Sequence, residues 1–132
     1  MSFSSKKLVE IALPWPPSDN SHKRGGRLTR TKTGILYQPR INTLETKRYF
    51  YEVWLKIRTI GLKSFYSAPI YVEVDAYPPD DRKRDITNIL KVLCDSLQRG
   101  GLFDDDYQIC RLLIQRKDII SGGKVVVRVS EL

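Results

Sequence analysis

The chain has 132 residues, of which 23 are Lys or Arg and 15 are Asp or Glu, so its formal net charge is +8. A chain of this length buries enough apolar surface to fold as one domain without disulfides or a structural metal. No apolar run approaches the roughly 20 residues that cross a bilayer, and no signal-peptide h-region follows Met1. We therefore expect a single cytoplasmic domain over residues 1–132, with no membrane partner. The two cysteines, Cys94 and Cys110, have no metal-site spacing and are interpreted as reduced core residues.

The N-terminal third predicts a strand followed by a basic arm. Residues 8–13 are apolar with one polar interruption, and the prolines that follow end this strand. Residues 18–34 contain Lys, Arg, Gly, Ser and Thr with Leu28 as the single apolar side chain, which is typical of a basic loop that is mobile or hairpin-like. Residues 35–37 are a candidate return strand. His22, the only histidine, is interpreted as an exposed loop residue and not as a general base.

Two amphipathic helices and three further strands are predicted. Apolar side chains at helical spacing indicate a helix over residues 41–60, closed by Gly61. A second helix begins with Asp85 as its N-cap and stops at Gly100. Residues 69–77, 107–117 and 124–129 read as strands, and the last two are expected to form a hairpin around residues 121–123. This order of elements predicts an α+β domain without internal repeats.

The positive charge is concentrated near the N-terminus. Residues 1–48 hold ten basic and three acidic side chains, a net charge of +7. Lys and Arg at this density attract a phosphate polymer and release its counterions, so nucleic acid is the leading partner. The candidate DNA-binding residues are those of the arm (Lys23, Arg24, Arg27, Arg30 and Lys32) and a second basic run before the next acidic stretch (Arg82, Lys83 and Arg84).

The carboxylates are concentrated elsewhere, since seven of the fifteen acidic residues lie within positions 80–106. They are either solvated helix ends and a turn, or a cation site that faces DNA. Carboxylate-held Mg²⁺ both neutralises a scissile phosphate and activates water. Asp85 and Asp106 are separated by a helix about 20 Å long. They can share an ion only if the chain after Gly101 folds back, or if a second subunit supplies one of them.

Several motifs in register resemble the RusA-type Holliday junction resolvases. The matching residues run through nearly the whole chain: Leu13 to Ser18 with Asn20, Asp85 with Asn88 and Lys91, Asp95, and Gly101 to Asp106 with Gln108. The resemblance implies a small mixed β-sheet with two main helices in a symmetric homodimer. It also implies a Mg²⁺-dependent, structure-selective endonuclease, with Mn²⁺ as a possible substitute, that makes paired nicks in four-way DNA junctions during recombination and repair. Resolvases of this kind are commonly carried by prophages.

The resemblance also assigns roles to individual residues. Asp85 and Asp106 match metal-binding aspartates of the family, and Lys91 matches the lysine of its motif, placed to stabilise charge in the transition state. Thr87 stands where the family has a second Asp, so the inferred site has a neutral ligand in place of a charged one. Asp75, Asp81, Asp95 and Asp105 are candidates to restore that charge, with Asp105 the leading one. Asn88 is expected to support Asp85, and Asp95 to orient Lys91.

Three alternatives accompany this interpretation. The first is a catalytically weakened protein that binds junctions without cutting them, because Thr87 replaces a carboxylate. The second is a basic RNA-binding module, which is supported only by charge, since the chain lacks an aromatic RNP pattern and a GXXG loop. The third concerns the role of three aromatic side chains, Trp15, Tyr37 and Tyr77. Each is a candidate to stack on an unpaired base at the junction, and the alternative role is a hydrophobic contact within the fold.

Overall fold

A computed structural model describes residues 7–20 and 23–132, and its main feature is a four-stranded mixed sheet covered on one face by two helices. In chain order the elements are β1 (Leu8–Leu13), β2 (Lys23–Gly25), β3 (Thr29–Arg30), β4 (Leu36–Tyr37), β5 (Arg40–Asn42), α1 (Leu44–Ile60), β6 (Ile70–Tyr77), α2 (Leu90–Arg99), β7 (Ile109–Arg116) and β8 (Lys124–Glu131). Two short 3-10 helices, Ile86–Ile89 and Asp106–Gln108, flank α2. The predicted α+β class, with a small mixed sheet and two main helices, is confirmed.

The hydrophobic core lies between the sheet and the two helices. Alternate residues of β1, β6 and β8 are buried, and they oppose one another in register, as Ile11, Val127 and Val74 do. Because side chains of a strand alternate between faces, this row points to one side of the sheet. The apolar stripe of α1, centred on Val53, and that of α2, centred on Leu93, pack on the same side in one continuous cluster.

The strand order differs from the predicted hairpin. β7 and β8 are not neighbours, because β6 lies between them in the order β1-β8-β6-β7. β6 pairs with β7 in parallel and with β8 antiparallel. A parallel pair needs a long crossover, and residues 78–108, which carry α2, supply it. The chain then passes the end of β6, where the N–H groups of Lys117 and Ile120 donate to the carbonyls of Ala76 and Pro78.

The position of β7 at the sheet edge corrects a second prediction. Cys94 is buried on α2, as expected, but Cys110 is exposed on β7. β7 is an edge strand, paired on one side only with β6. Most of its side chains are exposed to solvent.

The start of α1 is later than the amphipathic pattern indicates. Residues 40–42 form β5, which pairs with β2, and Thr43 is the N-cap, its Oγ1 accepting from the N–H of Thr46 at 3.2 Å. The predicted end is confirmed: Gly61 adopts φ 77°, a left-handed conformation that glycine reaches without steric cost, and its N–H donates to the carbonyls of Ile57 and Arg58.

The cap of α2 comes from a distant part of the chain. Asp85 precedes the 3-10 helix, but its side chain makes no capping hydrogen bond, so the predicted N-cap role of that side chain is wrong. Asp19 performs this function instead: Oδ2 accepts from the N–H of Lys91 at 3.1 Å and Oδ1 from that of Val92 at 3.0 Å. The N–H of Asp19 donates to the carbonyl of Asn88 at 2.5 Å. The segment leading into the arm is thereby fastened to the start of α2.

Asp19→Ala is expected to destabilise the protein by about 1–2 kcal/mol, because two N–H groups at the first turn of α2 lose a charged acceptor. Asp19→Asn, which keeps one acceptor oxygen, is expected to lose less. Urea unfolding followed by circular dichroism measures both, with Asp118→Ala in an exposed loop as the matched control. Equal midpoints for Asp19→Ala and the wild type would contradict the capping role.

Within residues 7–20 and 23–132, no helix is both long and apolar enough to span a membrane. His22, interpreted above as an exposed loop residue, lies outside the described residues.

Candidate active site

The predicted site residues lie in two groups on either side of the start of α2. The first group borders a cavity of about 370 Å³, referred to below as the Asp85 cavity. Its lining residues are Trp15, Ser18, Lys83, Arg84, Asp85, Asn88 and Ile89. Asp85 itself is exposed, so its carboxylate is accessible to a ligand.

The 3-10 geometry determines which residues share this cavity with Asp85. A 3-10 helix has three residues per turn, so positions separated by three lie on the same side. Asn88 therefore lies on the side of Asp85 and lines the cavity, whereas Thr87 is exposed and does not line it.

The second group surrounds the ammonium of Lys91. Its Nζ lies 3.2 Å from Asp95 Oδ1 and 4.0 Å from Asp106 Oδ2. The N–H of Asp106 donates to Gln98 Oε1 on α2 at 3.3 Å. The chain after Gly101 therefore folds back along α2, and this brings the carboxylate of Asp106 to the lysine of the motif.

Lys91 is a stable cation in this environment. The hydrogen bond that Lys91 donates to Asp95 and the negative charge of that carboxylate, with a smaller contribution from Asp106, raise the pKa of Lys91 above its usual value. Such a lysine keeps its proton at neutral pH, and it can stabilise negative charge but cannot serve as a general base.

Asp105, the leading candidate to replace the missing carboxylate, has a structural contact of its own. Its Oδ1 accepts from the N–H of Tyr107 at 2.9 Å and caps the 3-10 helix that follows. Gln108 completes this turn: Oε1 accepts from the N–H groups of Asp104 and Asp105, and Nε2 donates to the carbonyl of Ala68 at 2.7 Å. The glutamine of the predicted motif thus sets the shape of the acidic turn.

The other candidate carboxylates are placed differently. Asp95 is paired with Lys91, and Asp81 is exposed in the loop before the 3-10 helix. Asp75 lies on the sheet face opposite the helices, where Arg128 Nη2 donates to its Oδ2 at 3.0 Å. Among the described residues, no three Asp, Glu, His or Cys side chains come together in a way that would hold a metal ion. Carboxylate oxygens are the kind of ligand that Mg²⁺ prefers, but the described part of one chain does not bring three such ligands together.

The basic run before Asp85 is held in a defined shape. Arg84 Nη1 lies 2.6 Å from Asp80 Oδ1, and this hydrogen bond, supported by the N–H of Arg82, lowers the pKa of Asp80 to about 2. Arg116 on β7 donates to the carbonyl of Arg84 at 2.7 Å. Asp80 therefore engages the guanidinium of Arg84 and also that of Arg82, whose Nε lies 3.7 Å from Oδ2. The side chains of Arg82 and Lys83 are exposed.

A family model described as endodeoxyribonuclease RusA matches residues 14–130. The chain belongs to the RusA endodeoxyribonuclease family. A crossover junction endodeoxyribonuclease RusA of Enterobacteria phage HK97 is 30% identical over 125 residues, covering 93% of this chain and 94% of the relative. Enzymes of the same name from Escherichia coli K12 and Enterobacteria phage 82 are 28% and 27% identical over 124 residues each, covering 92% of this chain and 93% of each relative. The predicted family and class of enzyme, a nuclease that hydrolyses phosphodiester bonds in DNA, are confirmed.

RusA-family membership gives the two groups of residues a common interpretation. RusA-type nucleases are metal-dependent in general. The assignment of Asp85, Lys91 and Asp106 to the motif of the family stays a prediction. The ligand set Asp85, Asp106, Asp105 and Thr87 stays a prediction, as do the supporting roles of Asn88 and Asp95. The contacts described above show only that Asp95 and Asp106 both lie at Lys91.

The arm of this RusA-family chain is an antiparallel ribbon. β2 pairs with β5, and β3 pairs with β4, so residues 23–42 form two short ladders. The return strand expected at residues 35–37 is present as β4, and the structure corresponds to the hairpin-like alternative for this segment. The five candidate cations of the arm are all exposed.

Replacing Arg27 and Arg30 together with alanine is expected to weaken junction binding and to reduce the slope of log K against log [salt] by about 1.8, because each lost phosphate contact removes about 0.9. Fluorescence anisotropy of a labelled junction at several salt concentrations measures this slope. A double alanine substitution of Lys56 and Arg58, exposed on α1, is the matched control. An unchanged slope in the arm variant would remove the arm from the binding surface.

Sequence reasoning missed Asp19 as the residue that joins these parts. The only signal in the sequence was the type of residue, since Asp is favoured at the N-terminus of a helix. Its partners, however, are the N–H groups of Lys91 and Val92, 72 and 73 positions away. Gln98, whose Oε1 accepts from the N–H of Asp106, was also missed, because the contact depends on how the chain after Gly101 folds back.

Proposed function

We propose that this RusA-family nuclease resolves four-way DNA junctions by paired nicks, with Mg²⁺ as its metal. The observation that carries the proposal is that the fold brings Asp106 to Lys91 at 4.0 Å and places Lys83 and Arg84 at the cavity lined by Asp85. Arg82, Lys83 and the five candidate cations of the arm are exposed. The printed names of the relatives, crossover junction endodeoxyribonucleases, support a branched DNA substrate.

The residues have distinct tasks in this reaction. The exposed cations of the arm and of the loop bind phosphates and orient the DNA without reading its sequence. Lys91, which stays protonated, stabilises the charge that develops on the scissile phosphate. Asp95 holds that ammonium through the 3.2 Å contact. Asp85 and Asp106 supply oxygen donors for the cation, which when bound polarises the phosphate and lowers the pKa of water.

A second copy of the chain is part of the proposal. Four-way DNA has two-fold symmetry, and a symmetric homodimer places one site at each of two opposed strands. It also offers the alternative left open by the sequence, in which carboxylates from both subunits complete one cation site.

The experiment that tests the function compares a labelled four-way junction with a linear duplex of matched sequence, in Mg²⁺, Mn²⁺ or EDTA. Paired nicks restricted to the junction and dependent on metal are expected. Binding to the junction with no cutting in either metal favours the weakened protein suggested by Thr87. In that case Thr87→Asp, on the exposed side of the 3-10 helix, tests whether one added carboxylate restores cleavage. No preference for the junction would contradict both functions.

Lys91→Gln is expected to lower the cleavage rate by about 10²-fold to 10³-fold with little change in junction affinity, because the charge acts on the transition state. Lys91→Arg is expected to retain part of the rate. Single-turnover cleavage measures both, and Lys56→Gln on α1 is the control for general loss of charge.

Since the pKa of Lys91 is raised, no fall in the cleavage rate from deprotonation of Lys91 is expected up to about pH 9. Such a fall would contradict the assignment.

A further inference from the structure

The Asp85 cavity has features that hydrolysis of a phosphodiester does not require. Its apolar lining includes Trp15 and the buried Ile89, and its polar lining includes Ser18 and Asn88. Its volume of about 370 Å³ lies within the range of cavities that accept small organic ligands. A carboxylate that binds a cation or a phosphate needs oxygen donors and positive charge, but not an aromatic wall.

The segment that carries Trp15 is held by contacts with the rest of the fold. Trp15 packs against the hydrophobic core, and Pro16 and Pro17, which follow it, are buried. The hydroxyl of Tyr49 donates to the carbonyl of Pro14 at 2.8 Å. At Gly123 an added Cβ would lie 2.9 Å from the Cβ of Trp15, so the β7–β8 connection contacts this residue closely. The backbone and Cβ of Trp15 are therefore positioned at the cavity before any ligand binds.

The two sides of the cavity are joined to each other. Trp15 and Ser18 come from the segment after β1, while Asp85, Asn88 and Ile89 come from the 3-10 helix and the residue before it. The hydrogen bond from the N–H of Asp19 to the carbonyl of Asn88 connects the two segments. Within the described part of the chain, no hydrogen bond reaches the carboxamide of Asn88, which is half-buried at the cavity.

The combination of an aromatic face, an available carboxamide and cations at the rim matches the chemistry of a nucleotide. Bases stack on aromatic side chains with about 1–3 kcal/mol per base. A carboxamide presents a donor and an acceptor side by side and pairs with a base edge. Lys83, exposed at the rim, is placed for the phosphate attached to that base.

We propose that the Asp85 cavity binds one unstacked nucleobase of the strand that is cut, with Trp15 as the stacking surface and Asn88 as the reader of the base edge. The inference rests on the proposed function, since the DNA strand meant here is the one that is cut at the site containing Asp85. A base held here fixes the position of the neighbouring phosphate relative to Asp85. It also makes cleavage depend on the identity of that base, because an edge that mismatches the carboxamide leaves its polar groups unpaired.

Tryptophan fluorescence tests the stacking directly, because the chain has only two tryptophans. Trp54 lies on α1 with its ring 5.9 Å from that of Tyr51, and it does not line the cavity. In the Trp54→Phe variant, Trp15 is the single tryptophan. A four-way junction is added in EDTA, which prevents cleavage, and anisotropy of a label on the DNA reports binding independently.

Quenching of Trp15 emission on junction binding is the expected result. An abasic residue is then placed in turn at each position around the cut. At one position it is expected to restore the emission and to weaken binding by about tenfold. Junction binding by anisotropy with unchanged Trp15 emission, and with no sensitive abasic position, would overturn the inference while leaving the proposed function intact. Absence of junction binding would overturn both.

Substitutions at the two proposed contacts provide a second measurement. Trp15→Leu keeps an apolar side chain but removes the π face, and it is expected to weaken binding to the intact junction about tenfold with no effect on the junction that has the sensitive abasic position. Asn88→Asp exchanges the amide donor for an acceptor and is expected to change which base at that position gives the fastest cleavage. An unaltered base preference in Asn88→Asp would contradict the reading role even if Trp15→Leu does not fold.

Discussion

Asp85→Asn and Asp106→Asn are each expected to abolish junction cleavage, with a loss of at least about 10²-fold, while junction binding is kept or slightly strengthened. Each substitution preserves the shape of the side chain and removes the negative charge that would hold a divalent cation. Loss of a carboxylate near the DNA also reduces repulsion of phosphates. Cleavage in Mg²⁺ under single-turnover conditions, together with anisotropy in EDTA, separates chemistry from binding.

These variants are expected to fold normally, which makes the measurement interpretable. The Asp85 side chain makes no capping hydrogen bond, since Asp19 caps α2 instead. The Asp106 side chain contacts Lys91 at 4.0 Å, whereas its turn is held by the backbone contact with Gln98 and by Gln108. Asp104→Asn in the same acidic turn and Asp118→Asn in another loop, both exposed, are the matched controls. Full activity of Asp85→Asn would contradict the assigned site.

A mixture of the two inactive variants is expected to recover cleavage if one cation site contains Asp85 of one subunit and Asp106 of the other. In such a heterodimer one site carries both substitutions and the second carries none. That second site cuts one strand, so single nicks rather than paired nicks are expected. Co-expression with two different affinity tags allows the heterodimer to be isolated before the assay.

The same heterodimer gives the opposite result if each site lies within one chain. Both sites then carry one substitution, and neither cuts. A heterodimer of Asp85→Asn with the wild type is the control, because it retains one intact site under either arrangement. Activity in this control together with none in the mixed variant would refute the shared site and leave the fold-back of Asp106 along α2 as the route to convergence.

Local features were predicted well where the residues that determine a strand or a helix end all lie within one short segment of sequence. The strand over residues 8–13 has the bounds of β1, and Gly61 ends α1 because the left-handed conformation suits glycine at that position. The start of α1 was predicted three residues early, because Ile41 fits a helical stripe but belongs to a strand whose partner is β2.

The sequence named candidates for the site but not their arrangement. Asp85, Lys91 and Asp106 were selected because their order and spacing resemble the motif of the RusA family, and of this only the family is confirmed. The contacts around these residues could not be predicted. Asp19 caps α2 from more than 70 positions away. Thr87 does not line the cavity, because a 3-10 helix has three residues per turn and places Asn88, not Thr87, on the side of Asp85.

The sequence by itself determined the family, the class of reaction, the number and kind of main elements, and the segregation of cations from carboxylates. These depend on composition and on patterns within a few turns of chain. Only the tertiary structure decided that β6 separates β7 from β8, that Asp19 caps α2, and that Asp106 meets Lys91. Such contacts join residues far apart in sequence, and they are selected by the packing of the whole core and not by the preferences of any one segment.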